Sequence, residues 1–248
     1  MKILLVNDDG ITAPGLAALK EAVQGRGEIT VIAPQQQRSG MSHAITIDQP
    51  LRLRSVEQGF TVTGTPVDCV IMAMRGLDLE PDFVLSGINH GANLGTDVLY
   101  SGTVAAAVEG VLNGVRSIAL SLAGSSSFLP TATQVARELL FEEPGFLLRP
   151  ELIPASGVLN INIPALPRER IKGVRYTRLG VRRYDGMVQR RQDPWGSDYY
   201  WLGGIPGTLE SNELEIDVAA VDQGYVSITP LQFDLTDYRA LERLRSLG

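Results

Sequence analysis

Lys2-Ile3-Leu4-Leu5-Val6-Asn7-Asp8-Asp9-Gly10 is a run of aliphatics that stops abruptly at an amide, two adjacent carboxylates and a glycine. An unbroken aliphatic run marks a strand buried on both faces, the setting of a parallel sheet. Ligands of open α/β sheets bind beyond the carboxyl ends of the strands, which is where Asp8 and Asp9 stand. Two neighbouring carboxylates repel, and a divalent cation would keep both ionised. A solvated Asp-Asp turn closed by Gly10 at positive φ is the other reading of this fragment alone.

Outward from that stretch, strands and helices alternate. Pro14 suits a first helical position, and Leu16, Leu19 and Val23 follow at helical spacing before Gly25 and Gly27. Ile29 to Ala33 reads as the next strand, ended by Pro34. Thr65-Pro66-Val67-Asp68 is a helix start, with Thr as cap, Pro first and Asp third, and Gly76 is its stop. Phe83 to Ser86 is a further buried strand. Val104, Ala107, Val108, Val111 and Leu112 mark one helix face, Ser117 to Leu122 a strand, and Val135, Leu139 and Leu140 another helix. Val158 to Ile163 closes the series. This alternation predicts an α/β fold, a doubly wound and mostly parallel sheet.

The last third changes character. Between Ile171 and Pro206 short β-like pieces carry Arg, Tyr, Trp and Gly without helical periodicity, and Trp195, Tyr199, Tyr200 and Trp201 crowd together although aromatics are 6% of the chain. Either an oligomer contact or a small sheet packed on the main domain accounts for such an aromatic hairpin. Tyr225 to Leu231 reads as a strand and Tyr238 to Leu247 as a terminal helix. The expected organisation is a single domain over 1–248, with a core of approximately 1–170 that carries the active site and a β-rich extension of approximately 171–248.

Composition narrows the function classes. A chain of 248 residues with 44% hydrophobic and 20% charged residues has a globular balance. Its net charge of −6 argues against a general nucleic-acid binder. Cys69 is the lone cysteine, so neither a disulfide framework nor a cysteine metal cluster is expected. The first apolar run is too short for a secretion signal, and no stretch approaches a membrane span; a cytoplasmic protein without membrane partners is expected.

Polar groups recur where strands end. Asp8 and Asp9 follow the first strand, Arg38-Ser39-Gly40 the second, and Ser86-Gly87-Ile88-Asn89 a third, and in a doubly wound sheet these loops converge on one edge. Carboxylates, an amide carbonyl and a hydroxyl suit Mg2+ or Mn2+. Zinc is disfavoured, because His43 and His90 lack ligand-pair spacing. Gly91-Ala92-Asn93-Leu94-Gly95 leads to Tyr100-Ser101-Gly102-Thr103 directly before a helix, where backbone N–H groups and two hydroxyls would cradle a phosphate. Helix capping by Ser101 or Thr103 explains one hydroxyl but not the preceding glycines and Asn93.

Together these segments resemble the survival protein SurE family of metal-dependent nucleotidases. The resemblance rests on Asn7-Asp8-Asp9-Gly10, Ala13-Pro14-Gly15, Arg38-Ser39-Gly40, Gly64-Thr65-Pro66, and Ser86-Gly87-Ile88-Asn89 through Tyr100-Ser101-Gly102-Thr103-Val104 to Glu109-Gly110. It continues in Asn160-Ile161-Asn162-Ile163-Pro164, Asp193-Pro194 and Gly224 to Leu231. It implies a Rossmann-like core, a C-terminal extension and terminal helix used in oligomerisation, and a homodimer or homotetramer. It implies metal-dependent hydrolysis of nucleoside 5′- and 3′-monophosphates, with some action on short polyphosphates. Carried over by residue, Asp8, Asp9, Ser39 and Asn89 would hold one divalent ion per subunit. Asn93, Ser101, Gly102 and Thr103 would bind phosphate, and Asp8, Asp9 and Asn93 form the catalytic set.

Two rivals come from other classes. A receiver-like signalling module also holds Mg2+ with acidic residues after its first strand, but it needs an Asp at a central strand end, where this chain has Ser86-Gly87-Ile88-Asn89. A nucleotide-binding module without turnover is the second.

Overall fold

The structure, a computed structural model, describes residues 1–142, 148–149, 151–185, 188–206 and 213–247. In chain order the elements are β1 (Lys2–Val6), α1 (Pro14–Ala22), β2 (Glu28–Pro34), β3 (Leu53–Val56), β4 (Gly59–Val62), α2 (Pro66–Ile71), β5 (Phe83–His90), α3 (Gly102–Leu112), β6 (Arg116–Ala123), α4 (Leu129–Phe141) and β7 (Gly157–Pro164). Then come β8 (Val174–Tyr176), β9 (Tyr184–Asp185), β10 (Val188–Gln192), β11 (Asp198–Leu202), β12 (Ile205–Pro206), α5 (Asp217–Asp222), β13 (Val226–Gln232) and α6 (Tyr238–Arg245).

Nine strands form one sheet in the order β3-β4-β2-β1-β5-β6-β7-β13-β8. The six strands from β4 to β7 run parallel, while β3 and β13 lie antiparallel to β4 and β7. The doubly wound, mostly parallel α/β sheet expected from the alternation is therefore the fold observed. The uninterrupted β1 run works because both faces are covered: Ile3 and Leu5 pack with Leu16, Leu19, Val135 and Leu139 of α1 and α4. Leu4 and Val6 face the other way, with Val70 of α2 and Ala106 of α3.

β1 lies between β2 and β5, so the connections leaving these strands diverge there. That divergence opens a crevice at the carboxyl ends, the place where a doubly wound sheet binds its ligand. The helix start read at Thr65 is a full capping box: Thr65 Oγ1 accepts from Asp68 N–H at 3.1 Å, and Asp68 Oδ2 accepts from Thr65 N–H at 2.8 Å.

The C-terminal third does not stand apart from this sheet. β13 pairs along its length with β7, and β8 adds beyond it, so the chain returns to the core after leaving it. Among the described residues, β10 with β11 and β9 with β12 form two further antiparallel pairs outside that sheet. The aromatic residues of the β10–β11 pair stay exposed, Trp195 by 87% and Trp201 by 59%, whereas Tyr184 of β9 docks on the core through Asp97. The helix α6 has no buried residue.

Candidate active site

Three loop systems meet at the crevice. Asp8 and Asp9 follow β1, Ser39 and Gly40 lie in the loop after β2, and Asn89 and His90 end β5. The β2 loop is drawn in by Arg38 N–H, which donates to Asp8 O at 2.7 Å. Further along the same loop, Thr46 donates to Asp68 from its hydroxyl at 2.7 Å and its N–H at 3.0 Å, and Thr65 Oγ1 donates to Ala44 O at 2.7 Å. His43 pairs with Glu109 at 2.9 Å rather than facing the crevice. The local register of β5 against β6 shifts between Ser86 and Asn89, a bulge that re-aims the strand end.

A cleft of about 850 Å3 collects the site. Asp8, Ser39, Asn89, Asn93 and Ser101 all line it. Asp9 sits beside them: its Oδ2 accepts from His90 N–H at 3.1 Å and its Oδ1 from Gln37 Nε2 at 3.4 Å. Gln37 Nε2 also donates to Ser39 Oγ at 2.9 Å, linking the two loops. Asn89 donates its amide N–H to Gly91 O at 2.9 Å, leaving its carbonyl oxygen as the available acceptor.

Asp8 is buried, and Thr103 Oγ1 donates to its Oδ1 at 2.5 Å. Burial pushes the Asp8 carboxyl up to about 6; the Asp9 charge adds to that, and the Thr103 hydrogen bond opposes it. A cation would offset both the burial and the repulsion. The oxygen donors of Asp8, Asp9, Ser39 and Asn89 are the hard set that Mg2+ or Mn2+ takes. No three His, Cys, Asp or Glu side chains cluster among the described residues, so the amide and the hydroxyl are needed to complete such a set.

The helix α3 points its N-terminus into this cleft. Ser101 is its cap, accepting from Val104 N–H at 3.1 Å while lining the cleft. A Cβ on Gly102 would lie 2.9 Å from Asp8 Cβ and 3.1 Å from Pro66 Cγ, so only glycine lets helix and carboxylate approach this closely. Of the four residues expected at phosphate, Asn93 and Ser101 line the cleft and Gly102 packs against Asp8, whereas the Thr103 hydroxyl is fully buried and committed to Asp8.

Asn93 is held by a buried network the sequence reading assigned no role. Its N–H donates to Asn162 Oδ1 at 2.8 Å, its amide to Ser121 Oγ at 2.8 Å, and its carbonyl accepts from Asn160 and Asn162 at 2.8 and 3.0 Å. The signal was present: Asn160 and Asn162 alternate in an otherwise aliphatic strand, so both amides face one side of a wholly buried β7. A second such residue is Asp217. Its Oδ2 accepts from Gly95 N–H at 2.7 Å and its Oδ1 from Gly180 and Val218 N–H at 2.8 Å each.

The arginines of the last third are dispersed. Arg175 stacks over the Tyr225 ring at 4.4 Å, Arg178 pairs with Glu213 at 3.4 Å, and Arg190 pairs with Asp198. Of that group only Arg182 lines the cleft among the described residues.

A family model described as survival protein SurE matches residues 3–186. A protein from Gemmatimonas aurantiaca called 5′-nucleotidase SurE is 48% identical over 243 residues, covering 95% of this chain and 94% of that protein. One of the same name from Vibrio cholerae serotype O1 is 49% identical over 250 residues, covering 100% and 96%. The crystal structure of the SurE protein from Aquifex aeolicus superimposes with a TM-score of 0.86 at 40% identity, over 100% of this chain and 99% of that one. The chain belongs to the survival protein SurE family.

Proposed function

We propose that the chain is a 5′-nucleotidase that hydrolyses nucleoside 5′-monophosphates to nucleoside and phosphate with one divalent metal ion, Mg2+ or Mn2+, per subunit. The observation that carries this reading is the meeting of Asp8, Ser39, Asn89 and Ser101 on one cleft at the start of α3. The relatives named 5′-nucleotidase, similar along their whole length, support it. Action on 3′-monophosphates and short polyphosphate, a homodimer or homotetramer built with the C-terminal extension and α6, and a cytoplasmic location belong to the same proposal. No described helix is long and apolar enough to cross a membrane.

Asp8, Asp9, Ser39 and Asn89 would hold the ion, which when bound would polarise a phosphoryl oxygen and raise the acidity of a water. The chain's own groups supply the rest. Ser101 Oγ and the N–H groups at the start of α3 would donate to phosphoryl oxygens as charge builds on them. Asn93, immobilised by Ser121, Asn160 and Asn162, adds an amide beside them. Thr103 keeps the Asp8 carboxylate oriented. Water oxygen attacks phosphorus, the bond to the nucleoside oxygen breaks, and that oxygen takes a proton.

Phosphate release from AMP, measured after chelation and again with Mn2+ restored, tests the reading. Metal-dependent release supports it; nucleotide binding without release would favour a non-hydrolytic module. Two variants separate roles within the cleft. Ser101→Ala should cost about 1 kcal/mol of stability as a lost cap and roughly 100-fold in kcat as a lost donor. A stability loss with normal kcat would leave capping as its only role. Thr103→Val should weaken Mn2+ binding roughly 10-fold or more by freeing Asp8; unchanged Mn2+ titration would count against that link.

A further inference from the structure

We infer that the end of the cleft bordered by Arg182, Tyr184, Tyr100 and Leu202 receives the nucleobase, with Arg182 as the residue that contacts it; this rests on the nucleotidase reading and specifies where the nucleoside lies.

This end is built by docking 180–184 onto 95–97. Arg182 N–H donates to Thr96 Oγ1 at 3.3 Å and Thr96 Oγ1 donates to Arg182 O at 3.2 Å. Asp217 ties the N–H groups of Gly95 and Gly180 together, and Gly95 holds φ +53° with Gly180 O where a Cβ would go. Asp97 then takes both Arg182 Nη1, at 2.6 Å, and the Tyr184 phenol. Arg182 and Asp97 are each only 16% exposed, so the guanidinium is positioned rather than free.

The charge balance decides what this surface suits. Arg182 is the sole Lys or Arg lining the cleft among the described residues, and Asp97 in direct contact matches its charge. The Asp222 carboxyl also feels the Arg182 charge. No surplus positive charge remains at this end to favour an anionic group over a neutral one. The other walls are Tyr100, Leu99, Tyr184 and Leu202, with Gly203 and Gly204 leaving room. A planar guanidinium with further N–H donors beside aromatic and aliphatic surfaces suits a flat, neutral heteroaromatic ring, which it can stack on or meet at its acceptor edge. The opposite end carries the oxygen donors and the α3 N-terminus, and the cleft volume is ample for a whole nucleotide.

The test compares AMP with ribose 5-phosphate, which has the same phosphoester but no base, in the Mn2+-loaded protein. Adenosine should inhibit ribose 5-phosphate hydrolysis competitively in the unaltered chain. Arg182→Met should raise KM for AMP roughly 10-fold, the scale of one lost stacking contact, and should lower the AMP to ribose 5-phosphate ratio of kcat/KM by a similar factor. Should that variant fail to fold, Tyr184→Phe keeps the ring, removes the tether to Asp97, and should move the ratio in the same direction. AMP turnover without inhibition by adenosine, or an equal loss on both substrates, would overturn the nucleobase subsite alone. Absence of AMP turnover in the unaltered, Mn2+-loaded chain would instead overturn the nucleotidase reading beneath it.

Discussion

Asp8→Asn is expected to lower metal-dependent phosphate release from AMP by roughly 10^3-fold or more, since a metal-assisted step loses several kcal/mol when its ion is displaced and each 1.36 kcal/mol is tenfold. The exchange is close to isosteric. Thr103 Oγ1 can donate to an amide oxygen as it does to Asp8 Oδ1, so the local geometry is retained. An uncharged Asn also tolerates this buried position, where burial already disfavours the charged carboxylate. The melting temperature should therefore stay within a few degrees of the parent while activity collapses. Unchanged turnover at limiting Mn2+ would remove Asp8 from the metal set; a large fall in melting temperature would show that its role is structural.

Asp217→Ala should produce the largest loss of stability among single substitutions near the site. The side chain is fully buried and accepts from three backbone N–H groups, one of them 122 residues away in sequence. Alanine leaves those donors buried without partners, at about 1–3 kcal/mol each before relaxation. A net cost of about 3 kcal/mol or more follows, which for a chain of this size lowers the melting temperature by on the order of 10 °C. Asp217→Asn should fall between, because its amide offers one acceptor and turns a donor toward an N–H. A melting temperature within about 2 °C of the parent for the Ala variant would show that solvent or backbone rearrangement satisfies these groups.

Much of the site was legible because its chemistry is local. Asp8-Asp9 after an aliphatic run, Thr65-Pro66-Val67-Asp68 as a helix start, and Ser101-Gly102-Thr103 before a helical face each carry their meaning within a few residues. The structure places them as read. Between the hydroxyls of Ser101 and Thr103, the sequence left capping open. Tertiary contact settled it, giving Ser101 the cap and Thr103 the Asp8 carboxylate. The hairpin of β3 and β4 went unread because each strand has four residues and β3, at the sheet edge, is largely exposed, which leaves little periodicity.

The remaining features depend on partners far apart in the chain. Residue order alone does not reveal that β13 inserts between β7 and β8, since one strand fits either edge of a sheet until its neighbours are present. Nor does it show that Asp97 meets Arg182, that Asp217 meets Gly95, or that two β7 asparagines clamp Asn93, because each bond needs the sheet closed before donor and acceptor can meet. By itself the sequence determined the alternating strands and helices, and with them the sheet edge at which polar residues gather, since hydrophobic period and turn chemistry are encoded over a few residues. Only the tertiary structure decided which of those polar groups are committed to one another and which remain open to the cleft, since a buried hydrogen bond is set by the whole packed chain.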